Sequence, residues 1–306
     1  MIRSYFLYML CFAAILLNAQ FFNFAVTNFA VQILIFFLFA SIPALKTKRM
    51  SYVDIAWPLG LVAIGLLGFA FAPKLTFRAI AINLVYLTMG SRMALGALFL
   101  WKNGGFKKEF PRYQYQRLRW KKKAYTNENI AMQIEIYVQA FANCSFLALP
   151  VLIQGANKNL ELSWLEAIGY CLWLFFFLME SLADHQKLKF QMNKDNRKAV
   201  CDVGLWKYSR HPNYFAEWMV WNSIILATLA SIFEMYKVSN TWAIVYLFAL
   251  LLISTIMYQC LVHYTGAKPS EYYSQQKRPE YKEYMKRTNM FFPWFPRSAL
   301  QTVQNT

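Results

Sequence analysis

Apolar runs of about 20 residues, separated by short basic segments, make up most of this sequence. A helix needs about that length to cross the hydrocarbon core of a bilayer, because each residue advances only about 1.5 Å. The runs predict an all-α, polytopic membrane helical bundle with about eight transmembrane helices. The predicted spans cover residues 4–22, 24–45, 51–72, 77–100, 130–153, 163–186, 217–235 and 241–264.

The amino-acid composition agrees with a membrane protein and indicates which kinds of partner to expect. Hydrophobic residues make up 58% of the chain and charged residues only 15%, against about 25% charged in soluble domains. The net charge is +17, but the basic residues lie between apolar runs, so we expect membrane lipids and no nucleic acid as partners. The cysteines and histidines show neither CxxC nor HExxH spacing, which predicts no disulfide framework and no metal site.

The lysines and arginines of the loops predict the orientation. If the amino terminus lies inside, 27 of them fall on one side of the membrane and 4 on the other. Cytoplasmic loops carry the excess of basic residues, so both termini are predicted to be cytoplasmic. The first apolar run is long and lacks a cleavage site of small residues, so we interpret it as a helix that is retained.

The stretch GLWKYSRHPNYFAE, residues 204–217, is the densest group of polar and aromatic side chains, and it leads directly into an apolar span. Polar groups next to a bilayer are costly, so we interpret this stretch as a binding site. Arg210 carries a planar fork that suits phosphate. His211 precedes Pro212 and is therefore expected in extended backbone. Asn213 offers both a donor and an acceptor, as a carboxamide ligand requires.

Other polar residues near this stretch have alternative interpretations. Glu180 and Asp184 stand four residues apart, so a helix places them on one face. They either hold a polar ligand such as a ribose hydroxyl or form an internal salt bridge. Glu217 opens the seventh predicted helix, where a carboxylate also suits the helix dipole. Tyr208 and Tyr214 contact a ligand or belong to an aromatic belt at the lipid headgroups.

Two charged residues lie in or near earlier spans. Asp54 opens the third predicted span, and Arg92 lies about eight residues inside the fourth, so we expect the two to pair. The pair is either structural or supplies a proton donor and substrate clamp. The loop 101–123 is basic and aromatic, which indicates an interfacial segment bound to anionic headgroups or a lid that attracts an anionic ligand.

Three segments together resemble the bacterial membrane proteins of the steroid 5-alpha-reductase carboxy-terminal-domain superfamily, above all its branch of members of unknown function. The segments are GLWKYSRHPNYFAE, ESLADHQKLKF at residues 180–190 and YKEYMKRTNMFFPWFP at residues 281–296. The likeness is strong over about residues 165–297 and weaker over 51–110. The RHPxY element alone also occurs in isoprenylcysteine carboxyl methyltransferases.

The resemblance implies a helical bundle with a cytoplasm-facing cavity, in which the reductases hold NADPH and deliver hydride to an enone. Asp184, Asn213 and Glu217 match cofactor residues by position, and Glu180 takes the place of an asparagine. We predict that the cofactor also contacts Arg197, Tyr208, Arg210, His211, Tyr284 and Arg287.

The catalytic Gln–Glu pair of steroid reductases has no counterpart here, because the corresponding region reads DIAWPLG. Asp54 is the nearby acid, and Asp54 and Arg92 are the predicted catalytic residues. The predicted domains are a transmembrane hairpin over residues 1–50 and a reductase-like membrane domain over 51–306, with the cofactor-binding part at 165–297.

The sequence therefore predicts an NADPH-dependent reductase of a carbon–carbon double bond conjugated to a carbonyl in a steroid, polyprenyl or fatty substrate. The predicted location is a bacterial inner membrane, with the active site facing the cytoplasm. One alternative is a membrane methyltransferase that uses S-adenosylmethionine, although Glu271 alone replaces the acidic pair expected after the last span. The other alternative is a non-enzymatic lipid-binding or assembly protein.

Overall fold

The computed structural model describes residues 2–125, 127–196 and 199–297, with side chains from residue 5 onward, and every regular element in these ranges is helical. The predicted all-α class is thus confirmed, while Arg197 lies outside the described residues. The α-helices are α1 Ile2–Leu17, α2 Phe22–Phe36, α3 Ile42–Thr47, α4 Val53–Phe71, α5 Phe77–Lys102, α6 Pro111–Lys122, α7 Glu128–Cys144, α8 Leu149–Ala156, α9 Trp164–Met192, α10 Pro212–Val238, α11 Asn240–Gln259, α12 Ala267–Lys277 and α13 Tyr281–Arg287.

Seven helical segments in the described part of the chain are long and apolar enough to cross a membrane, close to the eight predicted. Several of them join two α-helices through a short π or 3-10 turn, as α2 and α3 do. The seven segments are Phe22–Thr47, Met50–Phe71, Phe77–Lys102, Glu128–Ala156, Trp164–Met192, Pro212–Val238 and Asn240–Lys277.

The first predicted span is the one that falls short. It corresponds to α1, which has 16 residues and therefore measures about 24 Å, less than the hydrocarbon core of about 30 Å. The other helices make the chain an integral membrane protein by length and composition. The orientation of its termini stays a prediction.

The fifth predicted span is interrupted. Helix α7 ends at Cys144, and Ser145 leaves helical geometry with φ −104° and ψ −114° before a short turn leads into α8. Backbone groups freed inside a bilayer need partners because no water is present. Tyr86 Oη supplies one by donating to the carbonyl of Leu147 at 2.5 Å.

The chain divides into two compact units. Unit 1 comprises Met1–Gly169 and Ile224–Ile253, and unit 2 comprises Tyr170–Ser223 and Ser254–Thr306. Helices α9, α10 and α11 each contribute residues to both. The boundary predicted at residue 50 stays a prediction.

The interior of unit 1 contains a cluster of buried amides. Gln32 Nε2 donates to Asn28 Oδ1 at 3.0 Å and to the carbonyl of Gly60 at 2.9 Å. Asn143 Nδ2 donates to Gln32 Oε1 at 3.1 Å. Gly60 permits this approach, since a Cβ there would lie 2.2 Å from Asn143 Nδ2. Such interhelical hydrogen bonds hold α2, α4 and α7 together in the absence of a hydrophobic driving force between helices.

Candidate functional site

The central motif of unit 2 folds as a turn followed by a long helix. Gly204 has φ +56°, a left-handed conformation that favours glycine. A 3-10 turn covers Gly204–Lys207, and α10 begins at Pro212. Proline suits the first helical position because its φ is fixed and its missing N–H has no partner there. Arg210 and His211 are therefore held directly before the helix.

Arg210 forms a buried ion pair with Glu271 on α12. Its Nε lies 2.6 Å from Glu271 Oε1, and its Nη2 lies 3.2 Å from Oε2. Its Nη1 donates to the carbonyls of Met285 and Thr288. These bonds leave the guanidinium little capacity for a ligand. Its assignment to a cofactor phosphate stays a prediction, and the contacts show that it also holds the carboxyl-terminal segment.

His211 completes this cluster. Its Nε2 lies 3.3 Å from Glu271 Oε1, and its ring stacks on Tyr214 with centroids 5.4 Å apart. Burial lowers the pKa of His211 to about 4, aided by the nearby cations Lys187 and Arg210 and opposed by the hydrogen bond with Glu271. The ring is therefore neutral at pH 7, with Nε2–H donating to the carboxylate.

The segment after α13 closes over the same motif. The backbone N–H of Arg210 donates to the carbonyl of Asn289 at 2.9 Å, and that of Trp294 donates to the carbonyl of Tyr208 at 2.9 Å. Tyr284 is buried, and its hydroxyl donates to the carbonyl of Trp206. The tail is thus bound to the motif through backbone hydrogen bonds.

A polar pair lies on the adjacent helices. Asn213 Nδ2 donates to Asp184 Oδ1 at 3.0 Å, joining the first turn of α10 to α9. Asn213 Oδ1 is buried and has no hydrogen-bond partner among the described residues. A buried acceptor without a donor is unfavourable by roughly 1–3 kcal/mol, so a ligand that donated a hydrogen bond to this atom would relieve that cost. Glu217 follows Asn213 by one helical turn and is half-buried.

A stripe of polar side chains follows one face of α9. Glu180, Asp184, Lys187 and Gln191 succeed one another at spacings of four, three and four residues, which places them on one face over about 16 Å. Glu180 is buried, with 6% of its surface exposed. The stripe runs from this carboxylate, past the Asp184–Asn213 bond, to a cavity at the end of the helix.

The cavity has a volume of about 150 Å³ and basic and aromatic walls. A volume of this size accommodates benzene in another protein, so it can hold one ring or one phosphate group but not a whole dinucleotide. Its lining includes Lys187, Cys201, Trp206, Arg210, Arg278 and Tyr281.

Two cations of the cavity are available to an anion. Lys187 Nζ lies 3.8 Å from the ring centroid of Trp206 and has no carboxylate within ion-pairing distance in the described part of the chain. Arg278 Nε is buried and has no hydrogen-bond partner there. Burial raises the pKa of the Cys201 thiol, against the opposing effect of Lys187. The cavity thus presents positive charge beside aromatic rings.

Most of the predicted cofactor residues lie outside the cavity lining, among them Tyr208 and Arg287. Tyr208 is exposed and packs its ring against Phe295, with centroids 5.9 Å apart. Arg287 is exposed and pairs with Asp202 at 2.5 Å. Tyr284 lines the cavity, as Arg210 does. The roles predicted for all four residues stay predictions.

The predicted catalytic residues belong to unit 1. Asp54 accepts hydrogen bonds from Arg112 Nη2 and from the hydroxyl of Tyr113, the latter at 2.5 Å. Arg92 lies within α5 and is half-buried, and its pairing with Asp54 stays a prediction. Arg112 and Tyr113 belong to the loop 101–123. The basic and aromatic composition of that loop was the only feature of the sequence that pointed to a role for these two residues.

Sequence reasoning also passed over the cavity residues Lys187, Trp206 and Arg278. Lys187 stood among many basic residues, and Trp206, although within the motif, was given no separate role. Arg278 lies between α12 and α13. Only the folded chain brings the three together, because they lie on three separate elements. Among the described residues, no three His, Cys, Asp or Glu side chains are grouped as metal ligands.

Comparison with known proteins gives a family of unknown function. The family model described as "Protein of unknown function (DUF1295)" matches residues 36–288. The uncharacterised protein C594.04c of Schizosaccharomyces pombe is 23% identical over an alignment 306 positions long. The alignment covers 90% of this chain and 83% of that protein. No solved structure matches. The likeness to steroid 5-alpha-reductases stays a prediction from the sequence motifs.

Proposed function

The chain belongs to the DUF1295 family of proteins of unknown function, and we propose that it is an integral membrane reductase that uses NADPH. The proposed reaction reduces a carbon–carbon double bond conjugated to a carbonyl in a lipid-like substrate of the steroid, polyprenyl or fatty class. The proposed location is a bacterial inner membrane, with the site on the cytoplasmic side.

The observation that carries this proposal is the buried, partnerless Oδ1 of Asn213. The Asp184 carboxylate accepts from Nδ2 of the same side chain and so fixes the amide with its oxygen available as an acceptor. A carboxamide or ribose hydroxyl of a nicotinamide nucleotide has the hydrogen-bond donor that this atom lacks. The residues present therefore fit the cofactor at this position.

The basic cavity supports the same proposal from the other end of the α9 stripe. NADPH carries several phosphate groups, and Lys187 and Arg278 are cations without carboxylate partners in the described part of the chain. Charge-assisted hydrogen bonds from such groups to phosphate are roughly twice as strong as neutral ones. Along α9, the Asp184–Asn213 bond lies about 5 Å from Lys187 and about 10 Å from Gln191 of the cavity, so a ligand that extends from the cavity can reach Asn213.

Within this proposal, NADPH supplies the hydride when it is bound. Asp184 and Asn213 orient the nicotinamide end, and Lys187 and Arg278 neutralise phosphate charge. In unit 1, burial raises the pKa of Tyr113, with Asp54 adding to the effect. The Tyr113 hydroxyl therefore keeps its proton and shares it with Asp54, which suits a proton donor.

Equilibrium binding of NADPH and of S-adenosylmethionine to the detergent-purified protein tests the proposal. We expect NADPH to bind and Asn213→Ala or Glu217→Ala to weaken it about tenfold, as the loss of one hydrogen bond would. Asn222→Ala is the matched control, since this asparagine lies on α10 and donates to the carbonyl of Trp218. Unchanged affinity in both site variants, with the fold intact, contradicts the site assignment.

A second pair of variants tests the cavity. The substitution Lys187→Ala should weaken the binding of NADPH by about tenfold or more, because it removes a charged partner of a phosphate group. Lys189→Ala is its control, since Lys189 is exposed and points about 200° away around the same helix. Equal effects of the two substitutions would show that only general positive charge matters.

One observation favours the methyltransferase alternative. Glu271, the acidic residue after the last span, contacts both Arg210 and His211 of the RHPNY element. The motif and its acidic partner are thus assembled, although a single glutamate stands where a pair was expected. Binding of S-adenosylmethionine without NADPH would select this alternative, and binding of neither would favour a non-enzymatic protein.

A further inference from the structure

Unit 1 contains a second cavity, which none of the proposed chemistry uses. It is an apolar groove of about 720 Å³, within the range of about 300–1,000 Å³ that is typical of ligand sites. Helices α1, α2, α3 and α7 contribute its walls. The lining residues are Tyr5, Tyr8, Met9, Phe29, Ile33, Leu45, Asn129, Ile130, Gln133, Ile134, Tyr137, Val138 and Phe141.

The groove has the depth of one bilayer leaflet. Along α7 its lining extends from Asn129 to Phe141, which is about 18 Å, and half of the hydrocarbon core is about 15 Å. The inner end is closed by aromatic rings, because Phe12 lies 5.2 Å from Phe141 and 5.6 Å from Phe29 between ring centroids. A chain that enters at Asn129 therefore ends near the middle of the membrane.

Basic residues lie near the Asn129 end of the groove. Lys46 follows the lining residue Leu45 directly and is exposed. Arg117 on α6 donates to the carbonyl of Lys48 and to Glu128, each at 2.6 Å. These two bonds hold α6 against the end of α3 and the start of α7, where the groove opens.

The exposed cations at this end are part of the same arrangement. Lys121 lies one helical turn beyond Arg117 on α6 and is exposed, as Lys48 is. None of the exposed lysines Lys46, Lys48 and Lys121 has a carboxylate within ion-pairing distance among the described residues. We name Lys46, Lys48 and Lys121 the lysine rim.

We infer that this groove binds one bilayer phospholipid with an anionic headgroup, with one of its two acyl chains between α1, α2 and α7 and its headgroup on the lysine rim. Apolar walls of leaflet depth fit one chain, and each basic residue near an anionic lipid surface contributes about 1 kcal/mol. A zwitterionic headgroup would gain little from the rim. The inference goes beyond the proposed reductase function and does not depend on it.

Native mass spectrometry of the detergent-purified full chain tests the inference. The probes are palmitoyl-oleoyl phosphatidylglycerol and, for comparison, palmitoyl-oleoyl phosphatidylcholine. We expect one tightly held phosphatidylglycerol per chain, preferred at least tenfold over phosphatidylcholine. Equal retention of both lipids would overturn the headgroup assignment.

Two sets of variants locate the site. Ile134→Trp fills the groove and should abolish the tight lipid, whereas Ile168→Trp, at a similarly exposed isoleucine outside the groove, should retain it. The double variant Lys46→Ser and Lys121→Ser should weaken the binding of phosphatidylglycerol about 25-fold, since each lysine contributes about fivefold in affinity.

A control for the loss of two positive charges uses lysines that follow α4 and α8. Lys74 follows α4 and Lys158 follows α8, so Lys74→Ser with Lys158→Ser removes the same charge far from the rim and should leave binding unchanged. Retention of the lipid by a folded Ile134→Trp protein would overturn the groove assignment. Tighter binding of a polyprenyl phosphate than of phosphatidylglycerol would overturn the choice of occupant.

Discussion

The buried ion pair between Arg210 and Glu271 gives the sharpest prediction, and we develop it for the substitution Glu271→Gln. Both residues are buried, with 8% and 5% of their surfaces exposed. Removing one partner of a buried pair leaves an uncompensated charge and costs about 3–5 kcal/mol in other proteins. Because glutamine keeps a carbonyl oxygen as an acceptor, we expect about 3 kcal/mol of lost unfolding free energy.

The substitution Arg210→Met should cost more than Glu271→Gln. The guanidinium also satisfies the carbonyls of Met285 and Thr288, and each carbonyl left without a donor adds roughly 1–3 kcal/mol. The double variant Arg210→Met and Glu271→Leu should cost clearly less than the sum of its single substitutions, because neither charge remains buried alone.

Chemical unfolding in mixed micelles, followed by tryptophan fluorescence, measures these changes as shifts of the midpoint. The control is the exposed pair of Arg287 and Asp202, where Asp202→Asn should cost less than about 1 kcal/mol. A cost for Glu271→Gln as small as that of the control would refute the assignment of a buried, uncompensated charge.

Three further predictions follow. Burial, with the cations Lys187 and Arg210 nearby, lowers the pKa of His211 from 6.5 to about 4 on folding, against the opposing hydrogen bond with Glu271. Below pH 6.5 the unfolded chain therefore binds one proton more than the folded chain, so the free energy of unfolding should decline by about 3 kcal/mol as the pH falls from 6.5 to 4. Unfolding measurements at a series of pH values should show this decline, and the substitution His211→Phe should remove it. Asp54→Asn should spare NADPH binding and slow hydride transfer in single-turnover kinetics, and a normal rate would exclude Asp54 from catalysis. A reporter fused after the last residue should read cytoplasmic, and a signal from the opposite side would reverse the predicted topology.

Much of the fold could be predicted from periodic apolar runs, because a bilayer leaves few choices for backbone hydrogen bonding. The first run, over residues 4–22, was long enough to predict a span, but α1 ends at Leu17 and is therefore too short to cross the hydrocarbon core. The interruption of the helix near Ser145 could not be predicted from the local sequence. The carbonyl of Leu147 that it frees accepts a hydrogen bond from the hydroxyl of Tyr86, which lies on another helix.

The candidate site was predicted in part. The motif around Asn213 was chosen for its density of polar residues, and the Asp184–Asn213 bond joins two of the residues named from the sequence. Lys187 and Arg278 of the basic cavity were not identified as site residues, because they are separated by 90 residues and share no local pattern. Their juxtaposition follows from the packing of α9 against the tail segment of unit 2.

The sequence by itself determined the helical membrane class, the approximate number of spans and the location of the densest polar motif, because these depend on local composition and on the thickness of a bilayer. Only the tertiary structure decided which charges neutralise one another and which remain available. Arg210 within the motif and Lys187 upstream of it are both basic residues. Packing gave the first a buried carboxylate and left the second facing a cavity, because pairing depends on distances that local sequence does not contain.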